Sequence, residues 1–256
     1  MNPLWFILAL ALLVVVWTLA LLRNGRRTRT CDGSGDPDRG LIVFVEAVRW
    51  LFIVWGFAAV CRGFRRGGCG HLIRLFRWSG RGGALLVLPD FLRRRRLLAK
   101  ADRLARFLDG LAAQYPGRPI HLIGYSTGCY LVLEALKRRV WSDPLDPPPI
   151  GQVILLAGAV SPDYPLHSLA AGARGVHTFH SPLDFMISGL APLLLGTNDG
   201  RRSLGCGMIG FHGAPGSVEQ RAWSPRAMRL GYFGDHFSIT APAFVARQIA
   251  PILAAP

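Results

Sequence analysis

One short peptide in this sequence could carry nucleophilic chemistry. It is Gly124-Tyr125-Ser126-Thr127-Gly128, a serine with a glycine two positions before it and another two positions after it. An apolar, strand-like segment leads into the peptide and a helix-like segment leads out of it. A serine at the tip of so tight a turn faces a substrate, and the two glycines let the backbones of strand and helix pass closely. The peptide predicts a nucleophile at Ser126, with an incidental serine in a glycine-rich turn as the alternative.

This strand–turn–helix context resembles the α/β-hydrolase superfamily. The chain is similar to uncharacterised, membrane-anchored bacterial members with an LIGYSxGG-like peptide, and the resemblance covers roughly residues 41–254. It implies that an acid and then a histidine follow Ser126 in chain order. Asp184 lies in a Ser-Pro-x-Asp loop after a late strand, and His236 lies just before the last helix. The resemblance therefore implies a Ser126–His236–Asp184 triad that attacks an ester or thioester carbonyl.

Other acids and histidines remain open as members of the triad. Asp163 and Asp199 are the alternative acids, and His212, in a glycine-rich loop, is the reserve histidine. His177 and His180 alternate on one predicted strand and are interpreted as structural.

The oxyanion of such a reaction needs preorganised N–H donors. The resemblance implies the backbone N–H of Thr127 as one donor. The other comes from the loop after the first central strand, here Glu46 or Ala47, and our prediction is Ala47. The His-Gly dipeptide common in that loop is replaced here by Glu46 and Ala47, so the carboxylate of Glu46 must point away. If a later strand-like segment forms the loop instead, Asp90 or Phe91 supplies the donor.

Metal and cofactor chemistry is not expected. Cys61, Cys69 and His71 lack the spacing of a zinc site. The five cysteines are odd in number and irregularly spaced, which does not suggest a disulfide framework.

Strand-like and helix-like segments alternate along most of the chain, which predicts an α/β fold with a mostly parallel sheet flanked by helices. The predicted strands are Leu41–Val45, Leu72–Trp78, Ile120–Ile123, Val153–Leu156 and Gly175–Phe179, with a weaker one around Arg229–Phe233 and an unplaced one at Ala84–Leu88. The predicted helices run through Trp50–Val60, Leu97–Ala112, Gly128–Val140 and Pro242–Leu253.

The first residues predict a membrane anchor. Leu4–Leu22 is apolar apart from Thr18, and at about 1.5 Å per residue it matches the hydrocarbon core of a bilayer. Four arginines follow it, which places the rest of the chain on the cytoplasmic side: Arg23, Arg26, Arg27 and Arg29. A cleaved signal peptide is the alternative, but no basic segment precedes the run. The arginines would also contact anionic lipid.

These features divide the chain into three parts. Residues 1–30 form the anchor and its basic flank, residues 31–40 a linker, and residues 41–256 a hydrolase-like domain. Leu41–Cys61 is a second apolar stretch, but Glu46 and Arg49 favour a place in the domain core over a membrane hairpin. Asp184–Phe211 is apolar and glycine-rich, and either ordinary core or a lid or membrane-facing loop would account for it.

Composition narrows the function further. The chain has 256 residues, a net charge of +15 and 51% hydrophobic residues, which is too apolar for a disordered protein. Its basic residues are scattered and form no nucleic-acid-binding module, so nucleic acid is not an expected partner. The leading hypothesis is a membrane-anchored, single-pass serine hydrolase that acts on a small or lipid-like acyl substrate. A noncatalytic scaffold or binding module of the same fold at the membrane is the alternative.

Overall fold

A computed structural model describes residues 3–49, 53–80, 94–142, 150–166 and 172–254. Within these ranges six strands form one sheet in the order β2-β1-β3-β4-β5-β6, and every neighbouring pair is parallel. The strands are β1 (Asp36–Val45), β2 (His71–Phe76), β3 (Ile120–Tyr125), β4 (Ile150–Leu156), β5 (Gly175–His180) and β6 (Val218–Ala222). The predicted α/β class is confirmed. Because β3 and β4 lie in the middle of the sheet, they are buried throughout and read as continuous apolar runs.

Helices cover both faces of the sheet. They are α1 (Pro3–Cys31), α2 (Phe57–Arg66), α3 (Arg94–Gln114), α4 (Thr127–Ser142), α5 (Ala191–Leu195), α6 (Cys206–Ile209) and α7 (Pro242–Ala254). Helices α3 and α4 pack on one face, and α2 and α7 pack on the other. The helix predicted at Leu97–Ala112 forms the amphipathic α3, whose apolar residues recur at helical spacing.

The strand predicted around Arg229–Phe233 is wrong. Residues Pro225–Leu230 form a 3₁₀ helix that ends at Gly231, whose φ of 79° is left-handed. The sixth strand is β6, earlier in the chain. Because β6 lies at the edge of the sheet, its residues are mostly polar and exposed, and it lacks the apolar pattern that marks a buried strand.

The helix predicted through Trp50–Val60 is also wrong in its position. Helix α2 begins at Phe57, after Gly56, which has a φ of 78°. A Cβ at Gly56 would lie 2.7 Å from Cγ2 of Thr240, so this tight turn needs glycine. The alternative of a membrane hairpin over Leu41–Cys61 is wrong as well, since β1, which contains the start of this stretch, pairs with a strand on each side. Residues 50–52 and the predicted strand Ala84–Leu88 lie outside the described residues.

Helix α1 joins the sheet without a free linker. Strand β1 begins at Asp36, so the end of the predicted linker belongs to the sheet. Asp32 accepts a hydrogen bond from the backbone N–H of Leu75 and forms ion pairs with Arg74 and Arg77. The residues between α1 and β1 are therefore held against β2.

The exposed part of α1 is long and apolar enough to cross a membrane by length and composition. The C-terminal part of α1, after the apolar run, contacts the domain through Asn24. The side-chain amide of Asn24 donates to the carbonyl oxygen of Val54 and accepts from the N–H of Val54, both at 3.1 Å. This pair of hydrogen bonds fixes α1 beside the start of α2.

Candidate active site

Ser126 lies at the sharp turn between β3 and α4. Its φ is 56°, a left-handed conformation that costs energy for any residue other than glycine. The surrounding backbone holds it there, because the Ser126 N–H donates to the carbonyl of Leu156 and the Ser126 carbonyl accepts from the N–H of Cys129. Ser126 keeps 8% of its surface exposed. This is the strained elbow that the pattern around Ser126 predicts.

The two glycines of the peptide are required by close backbone contacts. A Cβ at Gly124 would lie 2.7 Å from Cα of Cys129, in the first turn of α4. A Cβ at Gly128 would lie 2.2 Å from the carbonyl oxygen of Val45, at the end of β1. Any larger residue at either position would push α4 away from the sheet and move the serine.

Asp184 and His236 come together at the edge of the sheet where the parallel strands end. Asp184 follows β5, and His236 follows β6 and the 3₁₀ helix. Nδ1 of His236 lies 2.6 Å from Oδ2 of Asp184, and both side chains are buried. If Nδ1 carries the proton, Nε2 is left as a proton acceptor.

A third residue holds the carboxylate of Asp184. The hydroxyl of Ser188 donates to Oδ2 at 2.5 Å, and the backbone N–H of Ser188 donates to Oδ1 at 3.3 Å. Ser188 lies in a π-helical turn, Phe185–Leu190, for which Asp184 is the N-cap. Turns of this kind often occur at functional sites.

Tyr125 links the elbow to the histidine. Its ring stacks on the His236 imidazole at a centroid distance of 5.4 Å, and its hydroxyl donates to the His236 carbonyl at 2.9 Å. Burial raises the pKa of the Tyr125 phenol well above its ordinary value, so the hydroxyl stays neutral and can donate. The residue next to Ser126 thus positions the loop that carries His236.

Among the described residues, no hydrogen bond joins the Ser126 hydroxyl to the His236 ring. The structure brings His236 to Asp184 and to the neighbour of Ser126, and the last contact of the predicted triad stays a prediction. Catalytic hydrogen bonds are often long without substrate and shorten when it binds.

The backbone N–H of Thr127, the predicted oxyanion donor, lies at the start of α4, and its role stays a prediction. Thr127 is the first residue of α4, and the first N–H groups of a helix have no partner within the helix. The helix dipole adds a partial positive charge at the same point.

Ala47 follows the end of β1, the strand beside β3, so it lies near the elbow. The carboxylate of Glu46 is held elsewhere, because it accepts from Arg49 Nε at 3.1 Å and from the Trp78 N–H at 3.3 Å. Burial raises the pKa of Glu46, and Arg49 opposes that rise. The Ala47 donor stays a prediction, and Asp90 and Phe91 lie outside the described residues.

The other acids and histidines considered for the triad contact each other or other groups. Asp163 pairs with Nδ1 of His212 at 3.0 Å on the surface, and Asp199 accepts from the hydroxyl of Ser161 at 2.5 Å. His177 contacts Glu219. Over the ranges described, no group of three or more His, Cys, Asp or Glu residues could hold a metal ion.

Sequence reasoning missed Tyr125 and Ser188 as parts of the site. Tyr125 belongs to the elbow peptide, but its role depends on a loop far away in the sequence. Ser188 follows Asp184 by four residues, which is one helical turn, and that spacing is the only signal that could have indicated the contact.

Comparison with known proteins gives structural similarities only. No family model matches the chain, and no curated protein matches it. It is similar to a lipase-esterase related protein from Clostridium acetobutylicum, with a TM-score of 0.49, 12% identity, and coverage of 86% of this chain and 97% of that one. It is also similar to an α/β serine hydrolase without a lid from Xanthomonas campestris, with a TM-score of 0.48, 13% identity, and coverage of 86% and 85%. A third is a carboxylesterase from Bacillus subtilis, with a TM-score of 0.47, 10% identity, and coverage of 86% and 85%.

Proposed function

We propose that this chain, which has the α/β-hydrolase fold, is a serine hydrolase that cleaves an ester or a thioester. The observation that carries the proposal is the buried hydrogen bond between Asp184 and His236, beside a strained elbow that presents Ser126. Aspartate, histidine and serine are the three groups that this kind of acyl transfer needs.

In the proposed reaction, the Ser126 oxygen bonds to the carbonyl carbon of the substrate while His236 Nε2 takes the hydroxyl proton. Asp184 stabilises the imidazolium that forms, and the N–H of Thr127 donates to the oxyanion. The leaving alcohol or thiol departs with the proton held on His236. Water then attacks the acyl-enzyme, gives its proton to His236 and releases the acid, after which the proton returns to Ser126.

We place the enzyme at a membrane. Helix α1 would span the bilayer, and the arginines after it would keep the domain on the cytoplasmic side. Anionic headgroups would attract the same arginines.

A noncatalytic scaffold at the membrane is the second candidate. Two observations favour it: the missing hydrogen bond between the Ser126 hydroxyl and His236, and the replacement of the His-Gly dipeptide by Glu46 and Ala47.

Labelling with a fluorophosphonate probe tests the proposal on the full chain in detergent. We expect the wild type to be labelled at Ser126 and the Ser126→Ala variant to be unlabelled, with a loss of turnover on the order of 10⁶. Ser217→Ala, at an exposed serine, is the matched control and should label normally. Folded wild type that resists the probe and turns over no ester would favour the scaffold. Turnover by Ser126→Ala at the wild-type rate would contradict the role of Ser126 as nucleophile.

A further inference from the structure

A set of apolar side chains is exposed around the candidate active site. We name it the apolar rim, and its members are between 40% and 65% exposed: Leu183, Phe185, Met186, Leu194, Phe233 and Phe237. Contiguous apolar surface is rare on soluble proteins and marks contact with another protein, a ligand or a membrane.

The apolar rim adjoins the catalytic pair directly. Leu183 and Phe185 flank Asp184, and the edge of the Phe237 ring meets the His236 ring at 5.8 Å. Leu183 also lies close to the loop that carries Phe233 and Phe237, because a Cβ at Gly234 in that loop would lie 2.8 Å from Cδ1 of Leu183. A molecule that reaches Ser126 from this side passes the rim.

A short series of contacts links the apolar rim to the end of the apolar run in α1. The apolar run ends at Leu22, and the amide of Asn24 is hydrogen-bonded to Val54. Trp55, the next residue, packs its ring on Phe237 at a centroid distance of 5.2 Å. A short series of contacts therefore joins the end of the span to the His236 loop.

Positive charge lies beside the end of the apolar run in α1. Arg23, Arg27 and Arg62 line a groove between α1 and α2, together with Trp55. Anionic headgroups attract such cations at a membrane surface. Apolar side chains beside arginines and a tryptophan are typical of a surface that rests in the headgroup region.

We infer that the apolar rim lies in the bilayer that holds α1, and that the substrate is an acyl ester of a lipid in that same bilayer. The lipid moves sideways from the membrane past the rim, and its ester bond is hydrolysed to a fatty acid and an alcohol by addition of one water. The inference rests on the proposed serine hydrolase and adds its substrate class and the direction from which the substrate arrives.

The experiment uses the full chain in vesicles of phosphatidylcholine and phosphatidylglycerol. A fluorogenic phospholipid ester is placed either in the enzyme's own vesicles or in separate ones, and a p-nitrophenyl ester measures soluble turnover. The double variant Met186→Glu with Leu194→Glu puts charge into the rim. Ala113→Glu adds the same residue at the exposed end of α3, which precedes β3 and so lies at the opposite edge of the sheet.

We expect the wild type to cleave the lipid in its own vesicles faster than in separate ones. The ratio of lipid to soluble turnover should fall about tenfold or more in the double variant, because two exposed apolar side chains that would enter the bilayer are replaced by charge. Ala113→Glu should keep the wild-type ratio. As a second measurement on otherwise unchanged protein, a photo-crosslinking residue at position 186 should capture lipid, and the same residue at position 113 should not.

An unchanged ratio in the folded double variant, or equal rates in the two vesicle arrangements, would overturn the inference. If Ser126 still labels and the soluble ester is still cleaved in those cases, the proposed hydrolase stands without its lipid substrate. If the wild type is not labelled and cleaves neither of the two esters, the proposed function itself fails.

Discussion

Two histidine–aspartate pairs in the described part of the chain are similar in sequence separation and in contact distance. His236 follows Asp184 by 52 residues, and His212 follows Asp163 by 49. The distances from Nδ1 to the carboxylate are 2.6 Å and 3.0 Å. Yet, among the described residues, only the first pair contacts Tyr125, the neighbour of the elbow serine.

The surroundings of the two pairs differ in kind. The side chains of His236 and Asp184 are 6% and 3% exposed, whereas those of His212 and Asp163 are 62% and 53% exposed. Water competes for the surface pair and screens it, so such a pair contributes little. In the buried pair each group depends on the other, because an unpaired charge there is costly.

The partners of the two pairs show the same contrast. Asp184 also accepts from Ser188, and His236 is stacked on Tyr125. Within the described ranges, Asp163 adds only an ion pair with Arg201 at 3.3 Å on the surface. The comparison teaches that burial and further partners, and not the histidine–acid contact alone, distinguish the pair that we propose for catalysis from the surface pair.

The largest expected effect comes from removing the histidines. His236→Gln should lower kcat by on the order of 10⁶, because the proton of Ser126 then has no acceptor. His212→Gln should leave kcat unchanged. Steady-state kinetics with a p-nitrophenyl ester measures both variants. Equal losses in the two would remove the distinction between the pairs.

Exchange of the aspartates should have a smaller effect. Asp184→Asn should lower kcat by about 10⁴, since an amide can hold the imidazole in the wrong tautomer. Asp163→Asn should retain wild-type activity, as measured in the same assay. A full loss in Asp163→Asn would point to the surface pair as the functional one.

The smallest effect concerns Ser188. Ser188→Ala should lower kcat by about ten- to a hundredfold, the worth of one hydrogen bond to a charged group, and leave KM unchanged. Ser161→Ala is the matched control, because it removes a hydroxyl that donates a hydrogen bond of the same 2.5 Å length to Asp199. If both variants lose only stability in thermal melts, Ser188 has no positioning role.

The elbow could be predicted from sequence because its determinants lie within five consecutive residues. Ser126 needs a left-handed turn, and Gly124 and Gly128 relieve contacts that follow from that turn. The order of Asp184 and His236 after it came from a family resemblance, and only the structure brings the two side chains into contact.

Other features depend on distant parts of the chain and left no local pattern. Trp55 lies in a stretch that reads as helix, and its packing on Phe237 follows from the turn at Gly56. Strand β6 is polar because one of its edges has no partner strand, so its sequence resembles a loop. Ser188 contacts Asp184 through a π-helical turn, which hydrophobic periodicity does not reveal.

The paired hydrogen bonds between Asn24 and Val54 have a practical consequence for shortened versions of this chain. Truncation after Leu22 would remove the apolar segment and keep the contacts of Asn24, Thr28 and Cys31 with the domain. Cutting after Cys31 would uncover the apolar patch that these residues cover, since Thr28 and Cys31 are 3% and 4% exposed. A water-soluble version for crystallisation should therefore start at Arg23 rather than at the first strand.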